Sequence, residues 1–222
     1  MTYQQMLDGF IQGRDEAYAA FSRKIANSDY DVIGIRNPIL RKFAKDHKTD
    51  EELVLSDFVL GRYLEVDFVY FVLGLSRLKT IGEKLAFLRK DIHWARSWAI
   101  TDGAVSSIKS IRFEDYRPFF LAMKDSHEIY DRRIAYVLGL KADKDPRILQ
   151  ILKDIRPNED YMVMMGQAWL LSDLAISFPE EIHDYLANLD DWTLRRKTIS
   201  KIQDSFRFDK ATKESFRALR KE

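Results

Sequence analysis

VDFVYFV, residues Val66 to Val72, decides the fold. Its β-branched and aromatic content suits a strand. A strand needs a partner, however, and the segments on either side read as helices, so nothing near it could pair with it. The same residues sit inside LEVDFVYFVLGLSRL, Leu64 to Leu78, which is strongly apolar and reads as a buried inner helix. With the strand rejected, the chain is expected to be all-α.

Working outward, nearly every other segment has helical periodicity. Toward the amino terminus, Tyr3 to Ile11 and Glu16 to Ala26 form two helices broken at Gly13. Asn27 to Asn37 is a connection with Gly34 at its turn. Pro38 fits the first turn of a helix over Ile39 to His47, where its missing N–H has no partner to lose. Asp50 is expected to open a further helix, with Glu51 and Glu52 in the first turn favoured by the helix dipole. Toward the carboxyl terminus come Ile81 to Arg89, Trp94 to Ser110, Phe113 to Lys124 and Ile129 to Ala142. Arg147 to Ile155 follows behind the Asp145-Pro146 start pair. Asp160 to Ile176, Glu180 to Asn188 behind Pro179, Leu194 to Phe206 and Lys210 to Lys221 complete about a dozen helices of ordinary length. Short connections imply antiparallel pairs. Stacked pairs give a divergent HEAT-like superhelix, an α-solenoid with a concave groove, and a compact bundle is the alternative. Residues 1–222 are expected to be a single HEAT-like domain.

Composition narrows the chemistry. Of the 222 residues, 46% are hydrophobic and 32% charged, which argues against disorder. There is no Cys, so disulfides, thiolate catalysis and thiolate metal sites are excluded. No apolar run approaches a membrane span. MTYQQMLDGF lacks the basic start and apolar stretch of a signal peptide, so a cytoplasmic location is expected. Net charge is only +1, but Trp192 to Glu222 carries ten Lys or Arg against four acids. That basic end suits either a phosphate-facing patch or a solvated helix face. The four His are scattered, without a zinc-ligand spacing. GxGxxG, GKS/GKT, GxSxG and HExxH are absent, and Ser106 and Ser107 have no nearby His. Neither a metal nor a cofactor is expected.

Three constellations remain. In WAITDGAVSSIK, Trp98 to Lys109, the spacing of Trp98 and Asp102 places an indole and a carboxylate on one helical face. Ser106 and Lys109 continue that face, while Ala95, Ile100, Ala104, Val105 and Ile108 turn inward. The plain alternative is a groove-wall Trp and a solvated or Arg-paired Asp. In HEIYDRRIAYVLGL, Ile134, Ala135, Val137 and Leu138 set the buried face. Arg132 and Arg133 at the helix start then leave at least one guanidinium facing out as a phosphate clamp, or tied to a helix acid. Trp169 follows Met162 and Met165 at i, i+3, i+7 spacing, by default a core stripe, with Gly166 and Ala168 leaving room for close approach.

Several segments together resemble one family. YDVIGIRNPILRKFAK (Tyr30 to Lys45), SWAITDGAVSSIK, YDRRIAYVLGL, DYMVMMGQAWLLSDLAISFPEEIHDYL and LRRKTISKIQDSFR occur in the order of the corresponding helices of the AlkD-type DNA alkylation repair proteins. The resemblance covers nearly the whole chain. It implies a HEAT-like superhelix holding alkylated duplex DNA on a basic concave face. It also implies hydrolysis of the N-glycosidic bond of cationic N3- and N7-alkylpurines by a monomer. Such a leaving base needs little protonation, so the task is to stabilise positive charge growing on the sugar.

The resemblance assigns the carboxylate to Asp102 and the aromatic walls to Trp98 and Trp169, whose faces attract positive charge. Arg133 would hold the DNA backbone near the lesion. Apart from the resemblance, Arg132 of the Arg pair, Lys109 of the Trp98–Asp102 face and Arg195, Arg196 and Lys201 of the basic end are the further candidate DNA contacts. The family works without rotating the base into a pocket, unlike most base-modifying enzymes. This chain departs from the family's glycosylases at Ser172, where a basic residue is common, and at Tyr130, where a Trp precedes the Arg pair. Ala17 to Pro38 resembles a divergent branch. The alternative expectation is a HEAT-like scaffold that binds nucleic acid or protein without excision.

Overall fold

The structure is a computed structural model, and it describes residues 1–26, 28–156 and 158–220. Asn27, Lys221 and Glu222, which the readings above include, lie outside the described residues. Among those residues the chain forms twelve α-helices and three 3-10 segments, and the fold is all-α. Among the described residues, β-type pairing is limited to an isolated bridge between Asp31 and Tyr63. Val66 to Val72 is helical. None of the described helices is long and apolar enough to cross a membrane. The fold divides into two compact units, Met1–Lys109 and Ser110–Glu222.

The first unit contains α1 (Tyr3–Gln12), α2 (Glu16–Ala26), α3 (Asn37–Asp46), α4 (Leu64–Arg77), α5 (Ile81–Asp91) and α6 (Trp98–Ser106). Helix α4 is its centre. Every residue from Glu65 to Leu75 is buried, and α3 and α6 pack against it. Two acids are buried in its first turn, and each fastens a loop. Glu65 accepts from the backbone N–H groups of Ile33 (3.0 Å), Gly34 (2.7 Å) and Ile35 (3.3 Å). Gly34 sits at φ +100°, and a Cβ there would lie 2.2 Å from the Asp15 carbonyl oxygen, so only glycine fits.

Asp67 accepts from the Tyr30 hydroxyl (2.5 Å) and from the backbone N–H of Gly61 (3.0 Å). Tyr30 also donates to the Trp94 carbonyl at 3.1 Å and accepts from the Arg96 N–H at 3.3 Å. One buried carboxylate thereby reaches the turn that leads into α6. Burial pushes the Asp67 carboxyl up to about 6, against the hydrogen bonds from Tyr30 and Gly61 that favour its charge.

Two expectations in this unit need correction. No helix opens at Asp50; residues 50–54 are irregular and a short 3-10 segment, Leu55–Asp57, follows. The Arg77 guanidinium explains the difference. It donates to the carbonyls of Lys48 (3.0 Å), Leu53 (2.8 Å), His47 (3.1 Å) and Asp50 (2.7 Å), satisfying loop acceptors that a helix would have paired internally. The expected Trp94 to Ser110 helix is shorter at both ends. Ile92–Trp94 is a separate 3-10 turn, and Ser97 is extended and caps α6 by accepting from the Ala99 N–H.

The second unit contains α7 (Phe113–Met123), α8 (Ile129–Gly139), α9 (Tyr161–Ser177), α10 (Pro179–Ala187), α11 (Trp192–Asp204) and α12 (Lys210–Ala218). Helix α9 is central here, with α8, α10 and α11 packed on it. Asp145 caps the next segment as expected, accepting from the Arg147 N–H at 3.0 Å. Pro146–Asp154 nonetheless winds as a 3-10 helix and not as an α-helix. Helix α11 ends at Asp204, before Phe206.

Candidate functional site

In the first unit, the face formed by Trp98, Asp102 and Ser106 on α6 is on the surface. Trp98 and Asp102 are half-buried and Ser106 is exposed. The inward set is buried as the periodicity requires: Ala95, Ile100, Ala104, Val105 and Ile108. Helix α6 begins against the end of α2, whose last carbonyls lack helical partners. The Trp98 indole N–H donates to the Ile25 carbonyl at 2.8 Å, and the Ser97 hydroxyl donates to the Ala26 carbonyl at 2.9 Å. The indole is thus tethered along its edge. The Thr101 hydroxyl, with one proton to give, lies 3.0 Å from the Trp98 carbonyl oxygen and 3.1 Å from Asp102 Oδ1.

Gly103, the next residue, lets Phe68 of α4 approach; a Cβ would sit 2.4 Å from the ring. That contact sets the depth of α6. Arg41, from α3, lies over the Phe68 ring at 5.1 Å and donates to the Ser106 hydroxyl at 2.6 Å. A guanidinium is therefore held one turn beyond Asp102. Sequence reasoning passed over Arg41, because its partner is 65 residues away. Lys109 is exposed and lies past the end of α6.

In the second unit, Arg132 and Arg133 are both turned inward: of the two expectations for the pair, the tie to a helix acid holds for Arg132, and neither guanidinium faces out as a clamp. Arg132 forms an ion pair with Asp160, the N-cap residue of α9, and donates to the carbonyls of Ser126 (2.8 Å) and His127 (3.0 Å). Arg133 is only 5% exposed and donates to the Met162 carbonyl at 2.7 Å. Its side chain packs beside Gly166, where even a Cβ would be in ordinary contact with Arg133 Cγ at 3.5 Å. Both arginines fasten the start of α8 to the start of α9. The sequence showed the pair at a helix start but not that α9 would cover it.

The Met162, Met165 and Trp169 stripe is not core either. All three are half-exposed, while Val163, Met164 and Gly166 to Ala168 are buried. Helix α11 lies beside this stripe. Lys201 Nζ stands 5.8 Å from the Trp169 ring centre, and Lys197 Nζ stands 5.4 Å from that of Tyr161. Tyr161 and Trp169 are two turns apart on α9, and Lys197 and Lys201 one turn apart on α11. The result is a ladder of cations over aromatic faces. The i, i+4 lysine spacing was the available signal for it. Arg196 is exposed, whereas Arg195 is committed to the Leu189 carbonyl (2.6 Å) and lies 5.9 Å from the Trp192 ring centre. Ser172 is 6% exposed and its hydroxyl donates to the Trp169 carbonyl at 2.8 Å, so it offers no charge outward.

Each unit therefore presents its own feature: a tethered indole beside a carboxylate in the first, and an aromatic ladder topped by lysines in the second. Among the described residues, no group of three or more His, Asp or Glu is placed to hold a metal ion. The family model described as DNA alkylation repair enzyme matches residues 6–204. The chain belongs to that family. No curated protein and no solved structure matches it.

Proposed function

We propose that this family member binds alkylated duplex DNA and hydrolyses the N-glycosidic bond of cationic N3- and N7-alkylpurines. The observation that supports this reading is the α6 face, where Trp98 and Asp102 lie one turn apart and both are partly exposed, with the indole tethered to the Ile25 carbonyl. When C1′–N cleaves in such a nucleotide, the bonding pair neutralises the departing base and positive charge appears on the sugar. Asp102 stabilises that charge and orients the water that attacks C1′, and the Trp98 face adds attraction to it. Trp169, Lys201, Arg196 and Lys109 are the further contacts of this reading. Lysines and an unpaired arginine neutralise phosphates, so affinity should fall as salt rises. Arg132 and Arg133 enter it as supports of α8 and α9, and Arg195 as a support of the 189–192 turn.

A second reading, binding without excision, is favoured by Ser172. It is buried and uncharged at a position where the resemblance implies a basic residue. Incubating methylated duplex DNA with the protein and chromatographing the freed bases separates the two. Release of 3-methyladenine or 7-methylguanine, lost in Asp102→Asn, supports excision. Salt-sensitive DNA binding with no release supports the second reading, and absence of DNA binding rejects both.

A further inference from the structure

Phe206, in the turn between α11 and α12, is 102% exposed, so its ring touches essentially nothing of the protein. A phenylalanine so displayed at the end of a frayed segment would mean little. Here the turn is built. The Ser205 N–H donates to the Lys201 carbonyl at 3.1 Å, closing α11. The Arg207 N–H donates to the Ser205 hydroxyl at 3.2 Å, and the Arg207 guanidinium pairs with Asp173, a 6%-exposed acid of α9. Asp209 caps α12 by accepting from the Thr212 N–H at 2.7 Å. Ser205, Arg207 and Asp209 hold the turn, and the Phe206 ring projects from it fully exposed.

The place of this ring matters as much as its exposure. Asp173, which anchors Arg207, is one helical turn beyond Trp169 on α9. Lys201, whose ammonium lies over the Trp169 ring, is five residues before Phe206. Phe206 therefore lies in the turn that directly follows the lysine-bearing helix of the ladder. The segment it belongs to is basic overall: Trp192 to Arg220 has nine Lys or Arg against three acids, two of which, Asp204 and Asp209, flank Phe206. Phe206 also lies beyond residues 6–204, where the family match ends.

We propose that Phe206 is an apolar wedge that stacks into the bases of duplex DNA bound along the α9–α11 face. This rests on the DNA-binding reading above and extends it to how the duplex is gripped. Proteins that deform duplexes insert apolar side chains between base steps, and an aromatic ring can stack on any base. The lysines supply phosphate attraction and the fixed turn supplies a ring with little freedom left to lose on binding. A protein pocket could also receive an exposed Phe, but the net positive charge of the Trp192 to Arg220 segment favours a polyanion.

The test uses the full chain and a fluorescein-labelled duplex of mixed sequence carrying 2-aminopurine, whose emission rises when it is unstacked. Wild type should bind with a rise in that emission. Phe206→Ala should lose about tenfold in affinity, within the range a base–aromatic stack supplies, and should lose the emission rise. Phe206→Trp should retain both. Because the ring has no internal contacts, Phe206→Ala should melt together with wild type; a clearly lower melting temperature would overturn the proposal by showing that the ring packs. Equal affinity and equal emission in wild type and Phe206→Ala would overturn the wedge while leaving DNA binding intact. If wild type fails to bind any duplex, the DNA-binding reading falls and the wedge with it.

Discussion

Asp67 should make the first unit less stable as pH rises from about 4 to 7. Its side chain belongs to a residue with 0% exposure, and in the fold its carboxyl titrates near 6 against an ordinary 3.8. Burial is the cause. A raised carboxyl binds its proton more tightly folded than unfolded, so its contribution is fully present below about pH 4 and is lost as pH passes through 6. The separation corresponds to roughly 3 kcal/mol across that window. For a chain of this size that is on the order of 6–12 °C in melting temperature. Other acids pull the opposite way at lower pH; Asp50, for example, is held down at about 2 by His47 and the N-terminal ammonium. A difference measurement removes them. Urea midpoints of wild type and Asp67→Asn should be measured at intervals from pH 4 to pH 7. Asn cannot titrate, so wild-type stability relative to the variant should fall with rising pH. Parallel curves, or a difference that grows with pH, would refute the linkage.

Three further outcomes follow from packing and hydrogen bonding. Gly103→Ala pushes a methyl to 2.4 Å from Phe68 and should cost about 1–3 kcal/mol in urea unfolding; an unchanged midpoint would mean α6 is free to shift. Arg77→Ala strips four loop carbonyls of their donor and should destabilise by at least about 2 kcal/mol, with faster amide exchange in residues 47–54. Trp98→Phe keeps a ring but leaves the Ile25 carbonyl without its indole donor. It should cost about 1 kcal/mol by the same measurement, and no change would show that the indole is not tethered there.

The helical character of the chain was legible because its decisive signals are local. Val66 to Val72 had no partner strand, and Asp145-Pro146 starts its segment where expected. What sequence reasoning missed came from residues distant in the chain. Arg77 unwinds the segment after Asp50 by supplying donors from 24 to 30 residues away. A tie of the Arg132–Arg133 pair to a helix acid was among the expectations, but which groups hold it, Asp160 and the Met162 carbonyl at the start of α9, was not legible. At the candidate site, the Trp98–Asp102 face followed from i, i+4 spacing alone. Its tether to Ile25 and its neighbour Arg41 did not, because both come from other helices. The exposure of Trp169 was hidden by a periodicity that suits core as well as edge. Only the lysines of α11 distinguish the two.

The single-turnover rate of base release from a duplex holding one N7-methylguanine tests the central claim most directly, with affinity measured in the same samples. Wild type should release the base without added metal or cofactor. Asp102→Asn should bind the duplex comparably yet release it on the order of 100-fold more slowly, the loss expected when a group that stabilises transition-state charge is removed. Equal rates in the two proteins, or wild type that binds the duplex and never frees the base, would contradict the account.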